Sequence, residues 1–265
     1  MDKLAEIMAH KRREVAERAR PVRDAELARY AELARPGRTF AQALRRDGGL
    51  AVISEVKRRS PSAGDIAPAA DAVEQARVYY NAGADAISVL TDEKYFGGTI
   101  GDLWDINDLL GNRADAPPTL RKDFFVDPIQ VAEAAEAGAR CILIIVRALS
   151  DDEMARLRDA AGLAALDAIY EVHDEADVER ALRQDAAIIG VNNRDLARFV
   201  TDLGISERII PELPEDCIAI SESGIRNEED AARARACGAD AVLIGEALMR
   251  MEKPERFISQ MHNLG

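Results

Sequence analysis

The hydrophobic positions of this chain gather into eight short runs. Apolar, partly β-branched stretches occur at 51–56, 84–90, 118–122, 140–146, 166–172, 186–192, 217–221 and 240–244. Runs of this length and composition suit buried strands. Most are separated by segments rich in Ala, Glu and Arg with apolar residues at helical spacing. Strands alternating with helices predict right-handed βαβ units and a parallel sheet. Eight such units in about 215 residues fit a closed (β/α)8 TIM barrel, whose usual size is about 250 residues. The rival is an open doubly wound sheet. It would normally carry a Gly-rich dinucleotide turn after its first strand, and Ser60-Pro61-Ser62-Ala63-Gly64 is not one.

A recurring turn supports the barrel. Ala82-Gly83-Ala84, Ala137-Gly138-Ala139 and Cys237-Gly238-Ala239 each precede an apolar run. Gly just past a helix accepts the left-handed conformation that ends it. Before the first strand, Leu4, Ile7, Met8 and Val15 are spaced as one face of an amphipathic helix, and Pro21 and Pro36-Gly37 punctuate the stretch between that helix and the strand. The expectation is one barrel domain over 1–265, with residues 1–48 as a helical extension packed on it.

The polar residues are distributed unevenly along the strands. In such a barrel the C-terminal strand ends share one face, where chemistry sits. Those ends carry Glu55 and Lys57 after the first strand and Lys122 after the third. Glu171 closes the fifth, Asn192 the sixth and Glu222 the seventh. The opposite ends carry mostly Ala, Gly and Asp of short turns. One ion pair could be structural; five strand ends bearing Glu, Lys or Asn point to an active site. A Lys in a partly desolvated mouth serves either as a general acid or as a Schiff-base nucleophile, and spacing does not choose between them. Two carboxylates in one mouth can be driven to different proton affinities and so to different roles. His173 comes after Glu171 where a loop begins, a place suited to a supporting or surface residue. Arg147, after the fourth strand, has no evident role.

Ser223-Gly224 and Gly245-Glu246 come after the seventh and eighth strands. Phosphate often sits in those two loops of a barrel, held by backbone N–H groups. Arg194, in Asn192-Asn193-Arg194-Asp195, could hold an anion bidentately. The net charge of −13 argues against nucleic acid or an anionic membrane as partner, though not against a small anionic substrate. No apolar run reaches membrane-spanning length, and the charged Met1-Asp2-Lys3 start lacks the apolar core of a signal peptide, so a cytoplasmic protein is expected. Cys141, Cys217 and Cys237 are far apart and read as packing residues; His10, His173 and His262 show no metal-ligand spacing. Nothing marks an obligate subunit interface, and a monomer is expected.

Several motifs together resemble the indole-3-glycerol-phosphate synthase family. They are Glu55–Ser62, Ser88–Thr91, Leu120–Phe124, Glu171-Val172-His173, Asn192–Leu196, Ser221–Ile225 and Leu243–Glu246, in order over nearly the whole chain. The resemblance implies ring closure, decarboxylation and dehydration of 1-(2-carboxyphenylamino)-1-deoxyribulose 5-phosphate to indole-3-glycerol phosphate, without a cofactor or metal. It implies Lys122 as general acid and Glu171 as general base. Glu55, Lys57, Glu222 and Asn192 match other catalytic-mouth positions. Ser60, Arg194 and Phe124 would contact the substrate, while Ser223, Gly224, Gly245 and Glu246 would hold its phosphate. Many members of that family have Ser where this chain has Thr99 and Glu246. A carboxylate at 246 would repel the ligand, so its side chain is expected to turn away. Two other readings stand beside this one: another phosphosugar barrel, such as a Lys-dependent aldolase or the isomerase of the preceding pathway step, and a barrel that only binds a phosphorylated ligand or docks in a multienzyme complex.

Overall fold

The computed structural model describes residues 3–34, 36–111, 113, 115–195 and 200–264. Leu196, the last residue of one motif above, lies outside them. Eight parallel strands close a barrel in sequence order: β1 (Ala51–Val56), β2 (Ala86–Leu90), β3 (Thr119–Lys122), β4 (Cys141–Ile145), β5 (Asp167–Val172), β6 (Ile188–Asn192), β7 (Ile218–Glu222) and β8 (Ala241–Ile244). Closure comes from β1 pairing with β8, Ala51 beside Ala241 and Ser54 beside Ile244. The closed (β/α)8 barrel expected from the alternation is therefore present.

The helices outside the barrel start where the sequence supplies caps. Asp71, Thr99, Asp127, Ser150, Asp174 and Asn227 each accept a backbone N–H from the first turn of the next helix, satisfying donors that a helix leaves unpaired. Thr99 does so in a reciprocal capping box with Asp102, a role that Ser fills equally well. The Gly-Ala turns end three helices with Gly83, Gly138 and Gly238 at φ 84°, 83° and 97°. In two other such turns Ala165 and Asp185 take the left-handed conformation themselves, at 53° and 56°, which is why the repeat is incomplete in the sequence.

The first helix, α1 (Lys3–Ala16), buries Leu4, Ile7, Met8 and Val15 together with Lys11. The helix Asp24–Glu32 packs on the helices Pro128–Glu136 and Asp151–Leu163. At the N-terminal end of the barrel, Asp85 joins three segments. It accepts from Arg46 Nη1 at 2.7 Å and the Val52 N–H at 2.8 Å, and lies 2.8 Å from His262 Nε2 on the last helix.

Two short ladders lie in loops at the opposite end. Arg59–Ser60 pairs antiparallel with Gly64–Asp65, where the sequence predicts only a loop, and Arg194–Asp195 pairs with Val200–Thr201. With two residues a side, neither leaves an alternation pattern to read.

Candidate active site

The C-terminal strand ends surround one cavity of about 740 Å³, and every side chain expected at the catalytic mouth or the phosphate end lines it. At its centre Lys122 Nζ stands 3.2 Å from Glu171 Oε2 and 3.4 Å from Glu222 Oε2. Across the mouth Lys57 Nζ donates to Glu55 Oε1 at 2.5 Å. Glu55 and Lys57 are two apart on an extended chain, so they share a face.

Glycines make room for these groups. A Cβ at Gly190 would collide with Glu222 Oε1, and one at Gly245 with Glu55 Oε1. Gly190 is thus the space in β6 that lets the Glu222 carboxylate lie inside the barrel. Nothing in the sequence marks it, because a Gly within a strand signals only close approach of something.

The electrostatics separate the ionisable groups. Burial pushes the Lys122 ammonium toward neutrality, but Glu222, Glu171 and Glu55 outweigh it and hold its pKa above the ordinary lysine value. Glu55 is lifted by burial, yet Lys57, Lys122 and Arg194 bring it below the ordinary glutamate range. Glu171 is also lifted by burial and lowered further by Lys122, His173 and Asn192, so it ends below that range. Glu222 goes the other way. Burial lifts it, Lys122 opposes, Glu171 and Glu55 add to the lift, and its pKa is pushed up to about 7. Its Oε1 is buried with no hydrogen-bond partner among the described residues.

Behind Glu171, His173 is buried and does not line the cavity. Its Nε2 is 3.7 Å from Glu171 Oε1 and its Nδ1 3.8 Å from Asp177 Oδ2. Arg147 donates to Asp177 at 3.0 Å and Asp174 at 2.8 Å, so its place is to fix the start of the helix Glu175–Leu182.

At the far side, Ser223 and Gly224 have φ of 66° and 93°. Asn193 fixes this turn by donating to Glu222 O at 3.0 Å and Ser223 O at 3.1 Å. Gly245 and Glu246 face the same end of the cavity. The Glu246 carboxylate is engaged by Arg250, which donates from Nε at 3.2 Å and Nη2 at 3.1 Å. Ser60 Oγ accepts the Ala63 N–H at 3.1 Å and shapes its loop, while Arg194 donates to Ser62 Oγ. Asn192 Oδ1 accepts the Arg194 N–H at 3.0 Å.

Part of the wall is apolar, with Phe124, Leu4, Ile7, Phe96, Leu143 and Ile145 among its residues and the Phe96 and Phe124 rings 6.0 Å apart. Leu4 and Ile7 come from α1, and sequence reasoning does not place them at the mouth. Their helical spacing is visible in the chain; the surface they meet is not. Sequence reasoning also misses Arg226, Arg233 and Arg250 at the rim. Among the described residues no group of three or more His, Cys, Asp or Glu could hold a metal ion, and no helix is long and apolar enough to cross a membrane.

Fold and mouth together define a (β/α)8-barrel protein with a cluster of buried ionisable groups at the C-terminal strand ends. Residues 4–261 match the family model described as "Indole-3-glycerol phosphate synthase". The chain belongs to that family. A protein of that name from Opitutus terrae is 60% identical over 98% of both chains. One from Acidithiobacillus ferrooxidans is 46% identical, over 96% of this chain and 95% of its own. Among solved structures, thiamine phosphate pyrophosphorylase from Pyrococcus furiosus superposes with a TM-score of 0.57 at 16% identity, over 79% of this chain and 92% of that one. That similarity shows the fold alone.

Proposed function

We propose that this chain is an indole-3-glycerol-phosphate synthase that acts on 1-(2-carboxyphenylamino)-1-deoxyribulose 5-phosphate, with Lys122 as its general acid. Family membership supports the reaction. The observation that carries the acid is the Lys122 ammonium held 3.2 Å from Glu171 and 3.4 Å from Glu222 in one mouth.

In ring closure, a substrate ring carbon attacks the ketone carbon. Lys122 donates a proton to the ketone oxygen as the carbon–carbon bond forms, giving a hydroxyl. Loss of the ring carboxyl as CO2 restores aromaticity. The hydroxyl then leaves as water and a proton is lost from the new ring. Glu171 and Glu55 are both held below the ordinary glutamate range, and Glu171, which stands at the family's general-base position, is assigned as the base. Lys57 and the protonated form of Glu222 are donors available to the departing hydroxyl. The apolar wall of Phe124, Leu143 and Ile145 suits the carboxyphenylamino ring. The Ser223-Gly224 and Gly245-Glu246 loops suit the phosphate, with Ser60, Asn192 and Arg194 left for the other polar groups.

A Schiff-base aldolase needs a neutral amine. Three carboxylates that hold Lys122 as an ammonium weigh against that reading. The test is addition of the substrate to purified protein while indole fluorescence and CO2 release are monitored. Equal growth of both supports the synthase. Substrate binding with neither signal would leave a binding barrel.

A further inference from the structure

Lys11 lies on α1, in the part of the chain that precedes the barrel, and is 1% exposed. Its ammonium is 2.9 Å from Asp92 Oδ2 and 3.1 Å from Asp123 Oδ1. Both carboxylates are buried, at 0% and 3% exposure. Asp123 is also bound by Arg121 Nη2 at 3.1 Å and by the Thr91 hydroxyl at 2.7 Å. Lys11, Arg121, Asp92 and Asp123 therefore form a buried quartet with two charges of each sign. Two partly exposed carboxylates touch its edge: Glu14, 3.1 Å from Lys11, and Glu133, whose Oε2 is 3.1 Å from Arg121 Nη1.

The position of the quartet matters more than its charge balance. Arg121 precedes Lys122 on β3, and strand alternation sends the Lys122 side chain the opposite way from it, into the cavity; Asp123, just past the end of β3, lines that cavity as well. The backbone there is held as well: the Thr91 N–H donates to Lys122 O at 3.2 Å and the Phe124 N–H to Asp123 Oδ1 at 2.8 Å. Asp92 uses its other oxygen to cap the helix Glu93–Phe96, accepting the Tyr95 N–H at 2.7 Å. Phe96 and Phe124 both line the apolar wall. On α1 itself, Leu4 and Ile7 stand seven and four residues before Lys11, hence on its face of the helix, and they line the same wall.

A helix with Leu4, Ile7, Met8 and Val15 already buried does not need a buried lysine to dock. Buried ion pairs often contribute no more stability than apolar residues of similar size. What the quartet supplies is geometry at the ends of β2 and β3. We infer that Lys11 is a positioning residue for the proposed synthase reaction. Through Asp92 and Asp123 it couples the seating of α1 over the cavity to the placement of Lys122 and the apolar wall. This rests on the function proposed above.

The test compares wild type, Lys11→Met, Lys11→Arg and the charge-balanced double variant Lys11→Met/Asp92→Asn, in which Asn retains the capping oxygen. Leu27→Ala, at a buried site on the helix Asp24–Glu32 away from the cavity, is the control for destabilisation alone. Turnover is measured at a temperature where circular dichroism shows each variant folded. A misplacement of about 1 Å at a reacting group costs on the order of 100-fold in rate. A partial loosening is expected to lower kcat about tenfold or more in Lys11→Met and in the double variant. KM should change less, Lys11→Arg should recover part of the rate, and Leu27→Ala should keep wild-type kcat. A folded double variant with wild-type kcat and KM would overturn the positioning role and leave the synthase reading intact. So would a Leu27→Ala variant whose kcat falls as far as that of Lys11→Met. A folded wild type without turnover would overturn both.

Discussion

Replacing Glu222 by Gln should stabilise the protein while it removes activity. Glu222 is 1% exposed, and Glu171 and Glu55 add their negative charge to the cost of burying it. Its pKa of about 7 in the folded chain stands above the ordinary 4.5. The sign comes from linkage. A carboxyl that holds its proton more tightly when folded contributes stability that is fully present below pH 4.5 and lost as pH rises through about 7. At ~1.4 kcal/mol per pH unit, the whole displacement corresponds to at most about 3 kcal/mol. Gln resembles the protonated form and does not ionise. At pH 8 Glu222→Gln should therefore be more stable than wild type by up to about 3 kcal/mol, and near pH 4.5 the two should converge. Urea unfolding at both pH values measures this as a shift of midpoint at constant slope. A variant equal to or weaker than wild type at pH 8 would refute the reasoning, as would an advantage that grows on acidification. The same change should cost at least about tenfold in kcat, the usual exchange where an active site holds an unfavourable charge.

Gly190→Ala places a Cβ into the Glu222 carboxylate and 3.0 Å from Ile169 Cγ2, so thermal unfolding should reveal a loss of about 1–3 kcal/mol, together with reduced kcat. Asp85→Asn should destabilise by about 1–3 kcal/mol at pH 7, since it weakens the ties to Arg46 and His262. Burial lifts the Asp85 carboxyl, but His262, the Val52 N–H and Arg46 hold it below its ordinary 3.8. Its contribution is thus present above pH 3.8 and lost as pH falls below, and the gap between variant and wild type should narrow in acid. Glu246→Ser removes a carboxylate from the proposed phosphate end and frees Arg250. Steady-state kinetics should show KM for the phosphorylated substrate fall about two- to fivefold, an effect that added salt diminishes.

The barrel is legible because strand and helix periods alternate along the chain, and each period survives mutation of single residues. The charged mouth is legible because Glu55, Lys122, Glu171 and Glu222 are charges at the ends of buried strands, where a core alone would not place them. The cover over that mouth is not legible. Leu4 and Ile7 announce a buried helix face, but amphipathic spacing does not say what the face meets. Lys11 reads as one more charge on a solvated helix, since burial by Asp92 and Asp123 depends on contacts about 80 and 110 residues away in the chain. Arg147 becomes readable only once Asp174 and Asp177 come beside it. The Glu246–Arg250 pair is within reach of the sequence, because four-residue spacing on a helix brings side chains together.

The central claim is that Lys122 is the acid of ring closure, and Lys122→Met tests it most directly. Substrate would be mixed with excess enzyme in a single turnover, with binding and product formation recorded separately. Removal of a positioned general acid costs about 100- to 10,000-fold. The account predicts a folded variant that still binds substrate and forms indole-3-glycerol phosphate at least about 100-fold more slowly than wild type. A folded Lys122→Met enzyme within a few-fold of the wild-type rate would contradict it.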